Sequence, residues 1–249
     1  MMNDPQPPVS SADREVEAAA RELAAALALF WQNRLGDALL GAYLIGSLAH
    51  GGFNRRYSDI DVALVSEDGL SEAMIAECRD EAVRVAPELA PKLSLFWADR
   101  GFTKGRFPPL DRLDYLDRAV ILYERERVEP PRPILAEVRT YLSGRPFITW
   151  AERAARFATL DRLEPSDHKP YLRAQLYPAR FVFSWRTGDV ASNDTAVAHV
   201  TADPPDGLDP GPISRAMAVR LAAADPDALF GERGCLPGQV AACKALMSR

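Results

Sequence analysis

Two aspartates, Asp59 and Asp61, stand two positions apart at the start of an apolar stretch. Side chains alternate along a strand, so a strand here would place both carboxylates on one face. At an effective dielectric constant of ~20, two such charges a few ångströms apart repel by roughly 3–4 kcal/mol. Either one carboxyl group is protonated or a cation lies between them. Oxygen ligands suit Mg²⁺, which keeps several waters and bridges to substrate phosphates, so we expect a Mg²⁺ site at Asp59 and Asp61.

A Gly-Ser pair, Gly46 and Ser47, precedes the aspartates with eleven residues between. Glycine lets a backbone approach a phosphate closely, and a serine hydroxyl with the N–H groups of a helix start can hold the phosphate oxygens. We therefore expect Gly46 and Ser47 to bind nucleotide phosphates. The alternative is a glycine-containing turn beside a solvated acidic strand end.

Several elements must position these residues. Apolar residues at helical spacing predict a helix over 13–35, and a run of apolar residues predicts a buried strand over 38–46. After the aspartate strand, the pattern predicts a helix over 71–86 and strands over 92–98 and 119–124. A Pro-rich break follows at 129–133, and the remaining segments are helical in pattern, with a kink or split expected at Pro178.

These elements predict an α+β protein in which a small mixed-sheet domain precedes an all-helical domain. We place a disordered tail at 1–10, the sheet domain at 11–130 and the helical domain at 131–249. The sheet domain carries the Gly-Ser pair and the aspartates.

Composition excludes some classes of partner. The net charge of −5 argues against broad binding to nucleic acid, although a single nucleotide needs only local positive charge. Three cysteines give no metal-ligand spacing and no even disulfide set, as in a reducing compartment. The acidic, Pro-rich start lacks the pattern of a signal peptide, and no apolar run reaches the ~18 residues of a membrane span. We expect a cytoplasmic monomer or dimer.

This region resembles the signature of the nucleotidyltransferase superfamily. The signature consists of the Gly-Ser pair, the eleven residues after it, and the sequence Asp-Ile-Asp followed by apolar residues. That superfamily includes DNA polymerase β and the kanamycin and streptomycin adenylyltransferases. The resemblance implies that Gly46 and Ser47 bind the phosphates of ATP and that Asp59 and Asp61 hold Mg²⁺. It further implies transfer of AMP to a hydroxyl of a small-molecule acceptor.

The helical half resembles the aminoglycoside 3''-adenylyltransferases in the stretch ARFVFSWRTGDVASNDTAV. On this match, Arg180 takes the position of an arginine that grips the ATP phosphates, with a solvated helix arginine as the alternative. Asn193 departs from the family, which has a phosphate-binding lysine there. The acceptor implied by the resemblance is an aminoglycoside, as in antibiotic resistance.

The superfamily has a third carboxylate on a neighbouring strand, as a metal ligand or as the general base. The strand KLSLFWA contains no acid, and the expected position aligns with Ser94. Asp99 is the nearest candidate for this third catalytic carboxylate, with a turn residue as its alternative. If Asp99 does not serve, the general base is missing or comes from elsewhere, such as Glu124 or Glu126 after the next strand.

The missing acid at Ser94 and the missing lysine at Asn193 support a second hypothesis. On this hypothesis the protein is a catalytically impaired, nucleotidyltransferase-like protein with a nucleotide-binding or regulatory role. A third, a protein-modifying or toxin–antitoxin nucleotidyltransferase, shares the motif, but the fused helical half counts against it.

Overall fold

The computed structural model describes residues 11–248, so the predicted tail at 1–10 lies outside the described part. The chain forms two compact units. The first extends to Gly105 and includes Val120–Val128, and the second comprises Arg106–Ala119 and the chain from Glu129 onward.

The first unit is a mixed five-stranded sheet with helices. In chain order its elements are α1 (Ser11–Leu35), β1 (Leu39–Ile45), α2 (Gly46–Ala49), β2 (Ile60–Ser66), α3 (Glu72–Val85), β3 (Leu93–Asp99), β4 (Gly105–Arg106) and β5 (Val120–Glu124). The strand order is β4-β3-β2-β1-β5. Strand β1 is antiparallel to β2 and β5, whereas β2 and β3 are parallel.

The core of this unit follows the predicted pattern. Leu23, Leu27 and Trp31 recur at helical spacing on α1 and are fully or almost fully buried. Every residue of β1 is buried. Helix α3 begins where the Ser71 hydroxyl accepts a hydrogen bond from Met74 N, as a capping serine does. The sheet is therefore packed against α1, and β1 and β2 form its centre.

The second unit is helical. Its helices are α4 (Pro109–Arg118), α5 (Leu135–Ser143), α6 (Arg145–Thr159), α7 (His168–Thr187), α8 (Asn193–Ala202), α9 (Pro210–Leu221) and α10 (Leu236–Met247). A 3₁₀ segment, Pro226–Cys235, precedes α10. The predicted α+β class, a mixed-sheet part followed by a helical part, is confirmed. Between residues 11 and 248, no helix has both the length and the apolar composition to cross a membrane.

Helix α7 continues through Pro178, so the split expected there does not occur. Proline has no N–H to donate to the carbonyl four residues earlier, which is that of Ala174. The Trp150 indole Nε1 donates to this carbonyl oxygen at 2.9 Å instead. A side chain of α6 therefore satisfies the acceptor that Pro178 leaves open.

The two units divide the chain differently from the predicted domains in one segment. Residues 106–119 belong with the helices, and the main division falls after Val128. Ion pairs also connect this segment to the helical unit: Arg112 of α4 pairs with Glu137 of α5. Arg132 also binds Asp117 at 2.7 Å. These long-range pairs are not visible in the local sequence pattern.

Candidate functional site

Gly46 and Asp61 meet where β1 ends and β2 begins. Ile45 is the register partner of Asp61, so the residue after Ile45 lies beside the carboxylate. Gly46 has φ +67, and a Cβ atom added to it would lie 2.3 Å from Asp61 Oδ2. Only glycine adopts this conformation at low cost and lets the carboxylate approach the backbone this closely. The structure thus joins the two halves of the sequence motif at one point.

The two aspartates do not share the strand as expected. Strand β2 begins at Ile60, so Asp61 lies in the strand and Asp59 immediately precedes it. Both residues are half-buried. The strand-alternation argument therefore applies to Asp61 alone, and the position of Asp59 depends on the preceding loop.

That loop is held by a small hydrogen-bond network. Ser47 Oγ donates to Ser58 Oγ at 2.9 Å, and the same Ser58 oxygen accepts from Asn54 N at 2.9 Å. The Asn54 side chain accepts from the N–H groups of Arg56 and Tyr57, each at 3.0 Å, as asparagine does in tight turns. The network fixes the loop that leads to Asp59 and connects it to the Gly-Ser turn.

Lys92 is a residue of this region that the sequence analysis missed. It directly precedes β3, and its Nζ lies 3.4 Å from the carbonyl oxygen of Arg56 and 3.5 Å from that of Ser58. The signal that could have indicated Lys92 is its position directly before β3, the strand that runs parallel to β2. Lys92 brings a positive charge to the loop that precedes Asp59.

The position expected for a third acid carries a serine. In the parallel register of β2 and β3, Asp61 pairs with Ser94. Neighbouring strands lie ~4.8 Å apart, so a carboxylate at position 94 would be beside that of Asp61. The described residues of β3 offer no acid at this end of the strand.

Asp99 stands at the other end of β3. Its register partner is Ser66, five residues along β2 from Asp61, or roughly 16 Å at the rise of a strand. Its carboxylate accepts hydrogen bonds from Thr103 N at 2.7 Å, Thr103 Oγ1 at 2.7 Å and Lys104 N at 2.9 Å. The bond from Lys104 N–H contributes most to lowering the pKa of Asp99. The geometry separates Asp99 from the aspartate pair, and these contacts are those of a turn residue.

Glu124 and Glu126 are also remote from Asp61. Glu124 pairs in register with Gly41 and accepts a hydrogen bond from Tyr43 OH at 2.9 Å, whereas Asp61 pairs with Ile45 at the far end of β1. Glu126 binds Arg100 at 2.6 Å. The sheet therefore brings neither glutamate to the aspartates.

Arg180 lies in the second unit, exposed on α7, and Asn193 is the first residue of α8. Near Arg180 is a carboxyl group that the sequence analysis missed, that of Asp111 on α4. Burial raises the pKa of Asp111 to about 6, while the charges of Arg180 and Arg106 oppose the rise. No local pattern would have indicated it, because the interaction joins residues far apart in the chain.

Comparisons with known proteins support the fold. No protein-family profile matches this sequence, and no curated protein is significantly similar to it. Among solved structures, the chain is similar to the spectinomycin adenyltransferase AAD(9) from Enterococcus faecialis, determined with ATP and spectinomycin. The TM-score is 0.61 at 12% identity, over 92% of this chain and 99% of that chain. The chain thus shares the fold of that adenyltransferase.

Proposed function

We propose that this protein is a Mg²⁺-dependent adenylyltransferase that transfers AMP from ATP to a hydroxyl of a small acceptor. The observation that carries the proposal is the contact between Gly46 and Asp61, where glycine lets the backbone lie directly against a carboxylate. The structural neighbour was determined with ATP and spectinomycin, so an aminoglycoside-like acceptor is the first class to test.

The transfer we propose exchanges one bond for another at the α-phosphorus of ATP. The acceptor hydroxyl oxygen bonds to this phosphorus while its bond to the α,β-bridging oxygen breaks, and pyrophosphate leaves. Gly46 would allow the phosphates to approach the backbone, and Ser47 would donate its hydroxyl to a phosphate oxygen. The Ser47 hydroxyl now donates to Ser58, but hydroxyls both donate and accept, so Ser58 can donate to Ser47 when phosphate is bound.

Asp59 and Asp61 fit a hard divalent ion. Both offer carboxylate oxygens, which are the ligands that Mg²⁺ prefers, and the backbone of Gly46 lies directly beside Asp61 Oδ2. When bound there, Mg²⁺ supplies positive charge against the triphosphate and the leaving pyrophosphate. Arg180 would place a further positive charge against the triphosphate, whereas the neutral Asn193 would supply none.

The proton of the acceptor hydroxyl needs a base, and Ser94 offers none beside Asp61. We propose that solvent water takes this proton as the oxygen–phosphorus bond forms. Asp99 has no part in this mechanism, because the sheet register separates it from Asp61.

The experiment that tests the proposal detects the product. The protein is incubated with ATP, Mg²⁺ and, in separate reactions, spectinomycin, streptomycin and kanamycin, and mass spectrometry is used to find an acceptor carrying an added AMP group. Modification of one acceptor that disappears when Mg²⁺ is chelated supports the proposal. Modification that persists without a divalent ion contradicts the metal role.

The serine opposite Asp61 favours a second candidate, a protein that binds ATP without transferring AMP. Calorimetry with ATP separates the two. Mg²⁺-dependent binding without product from any acceptor supports the binding protein, and binding accompanied by transfer supports the enzyme.

A further inference from the structure

His168 and two aspartates form a cluster in the helical unit that the proposed reaction does not use. His168 begins α7, and its side chain is only 10% exposed. Asp225 and Asp227 flank Pro226 at the start of the 3₁₀ segment. One potential ligand atom from each residue lies within 4.8 Å of the other two. The cluster thus joins two segments that are nearly sixty residues apart in the chain.

The two nitrogens of the imidazole face different carboxylates. Nδ1 lies 2.8 Å from Asp225 Oδ1, which is hydrogen-bond distance. Nε2 lies 3.4 Å from Asp227 Oδ1. In a neutral imidazole one nitrogen donates and the other accepts. If Nδ1–H donates to Asp225, the Nε2 lone pair faces a carboxylate oxygen of Asp227, and a proton or a cation between these two acceptors would stabilise the pair.

The distances favour a metal cation. Bond lengths of ~2.0–2.1 Å in a tetrahedral zinc site place two ligand atoms roughly 3.3 Å apart. The separation of Nε2 from Asp227 Oδ1 is close to this value and long for a charge-assisted hydrogen bond. A histidine that binds metal through one nitrogen commonly donates its other N–H to a carboxylate, and Asp225 occupies that position.

We propose that His168 Nε2 and Asp227 bind a divalent transition-metal ion of the Zn²⁺ class, and that Asp225 orients the imidazole. The side chains of Asp225 and Asp227 are 54% and 63% exposed, so water can complete the coordination. An imidazole ligand favours Zn²⁺ over Mg²⁺, unlike the oxygen ligands of Asp59 and Asp61. The bound ion would fasten the 3₁₀ segment to the start of α7 and stabilise the helical unit.

The test is Zn²⁺ titration of the full chain, followed by calorimetry and thermal unfolding. Excess Mg²⁺ is present throughout to occupy oxygen-only sites. The variants are Asp227→Asn, which removes a ligand, Asp225→Asn, which removes the orienting carboxylate, and Asp161→Asn, an exposed aspartate of the same unit as the control. Ligand binding to the folded state adds RT ln(1 + [L]/Kd) to the free energy of unfolding and so raises the unfolding temperature.

We expect Zn²⁺ to raise the unfolding temperature of the wild type and of Asp161→Asn, and not that of Asp227→Asn. In Asp225→Asn we expect the affinity to fall by roughly 10–100-fold. The proposal is overturned if Zn²⁺ has no effect on the wild type, or if Asp227→Asn responds like the wild type. It is also overturned if Asp227→Asn alters only the pH dependence of the stability and not the response to Zn²⁺. A proton, and not a metal ion, would then lie between Nε2 and the carboxylate.

Discussion

The backbone at Gly46 approaches the carboxylate of Asp61 so closely that a Cβ atom on residue 46 would lie 2.3 Å from Oδ2. Gly46 directly follows β1, and Asp61 lies at the start of β2, which is antiparallel to β1. The contact connects the turn that we propose binds phosphate with the aspartate that we propose binds Mg²⁺. A change at either residue should therefore affect the binding of both ligands.

We expect Gly46→Ala to abolish Mg²⁺-dependent ATP binding, because the new methyl group would displace the Asp61 carboxylate. Gly36→Ala is the matched control: Gly36 has a similar φ of +53, but a Cβ there meets nothing within 4 Å. The left-handed backbone should cost both variants ~1–2 kcal/mol of stability. Chemical denaturation measures this cost, and calorimetry measures ATP binding. Equal loss of ATP binding in the two variants would show that the Asp61 contact is unimportant.

Ser94→Asp should place a carboxylate beside Asp61, at the position where the resemblance implies a third acid. Without Mg²⁺ the variant should be less stable than the wild type, because like charges repel. With Mg²⁺ the stability should recover and the transfer rate should rise at least ~10-fold, as expected for a gained ligand or base. Thermal unfolding with and without Mg²⁺, together with product formation, checks the prediction. Ser94→Asn is the control of matched size, and an equal response from it would refute the role of the charge.

Asp111 should make the stability depend on pH. Its folded-state pKa of about 6 lies above its ordinary value of 3.8, so folding disfavours the ionised form. The penalty is absent below pH ~4 and grows as the pH rises through 6. Each pKa unit corresponds to about 1.4 kcal/mol, and solvent at this half-buried position screens part of it. Asp111→Asn should therefore stabilise the protein by about 1–2 kcal/mol at pH 7.5 and by much less at pH 4.

The indole of Trp150 should stabilise α7 only because Pro178 leaves the Ala174 carbonyl without a backbone donor. We expect Trp150→Phe to cost ~1–3 kcal/mol, since a buried acceptor loses its partner. In a Pro178→Ala background, the N–H of residue 178 can donate to Ala174, so the cost of Trp150→Phe should be smaller. A double-mutant cycle by denaturant unfolding measures the coupling. Additive effects would mean that the indole and the proline act independently.

The periodic parts of the sequence predicted the fold well. Helix α1 and strand β1 are long, strongly patterned segments, and both occur close to their predicted bounds. The Gly-Ser pair and the aspartates pointed to one site because their spacing fixes a turn between two strands. The start of β2 differs by one residue, since hydrogen bonding in the preceding loop decides where the strand begins.

The rest depended on contacts between distant segments. The sequence offered Asp99 as an acid near β3, but only the register shows that it lies at the opposite end from Asp61. Residues 106–119 were assigned to the sheet domain, whereas ion pairs such as that of Arg112 with Glu137 connect them to the helices. The continuity of α7 through Pro178 depends on Trp150, and local propensity carries no information on either contact.

The most direct test of the central claim is the rate of pyrophosphate release with ATP, Mg²⁺ and an acceptor that the protein modifies. Asp61→Asn is compared with Asp68→Asn, which changes an exposed aspartate just beyond the other end of β2. We predict that Asp61→Asn lowers the rate by about 100-fold or more and that Asp68→Asn leaves it unchanged. Pyrophosphate release at the wild-type rate in Asp61→Asn would contradict the account.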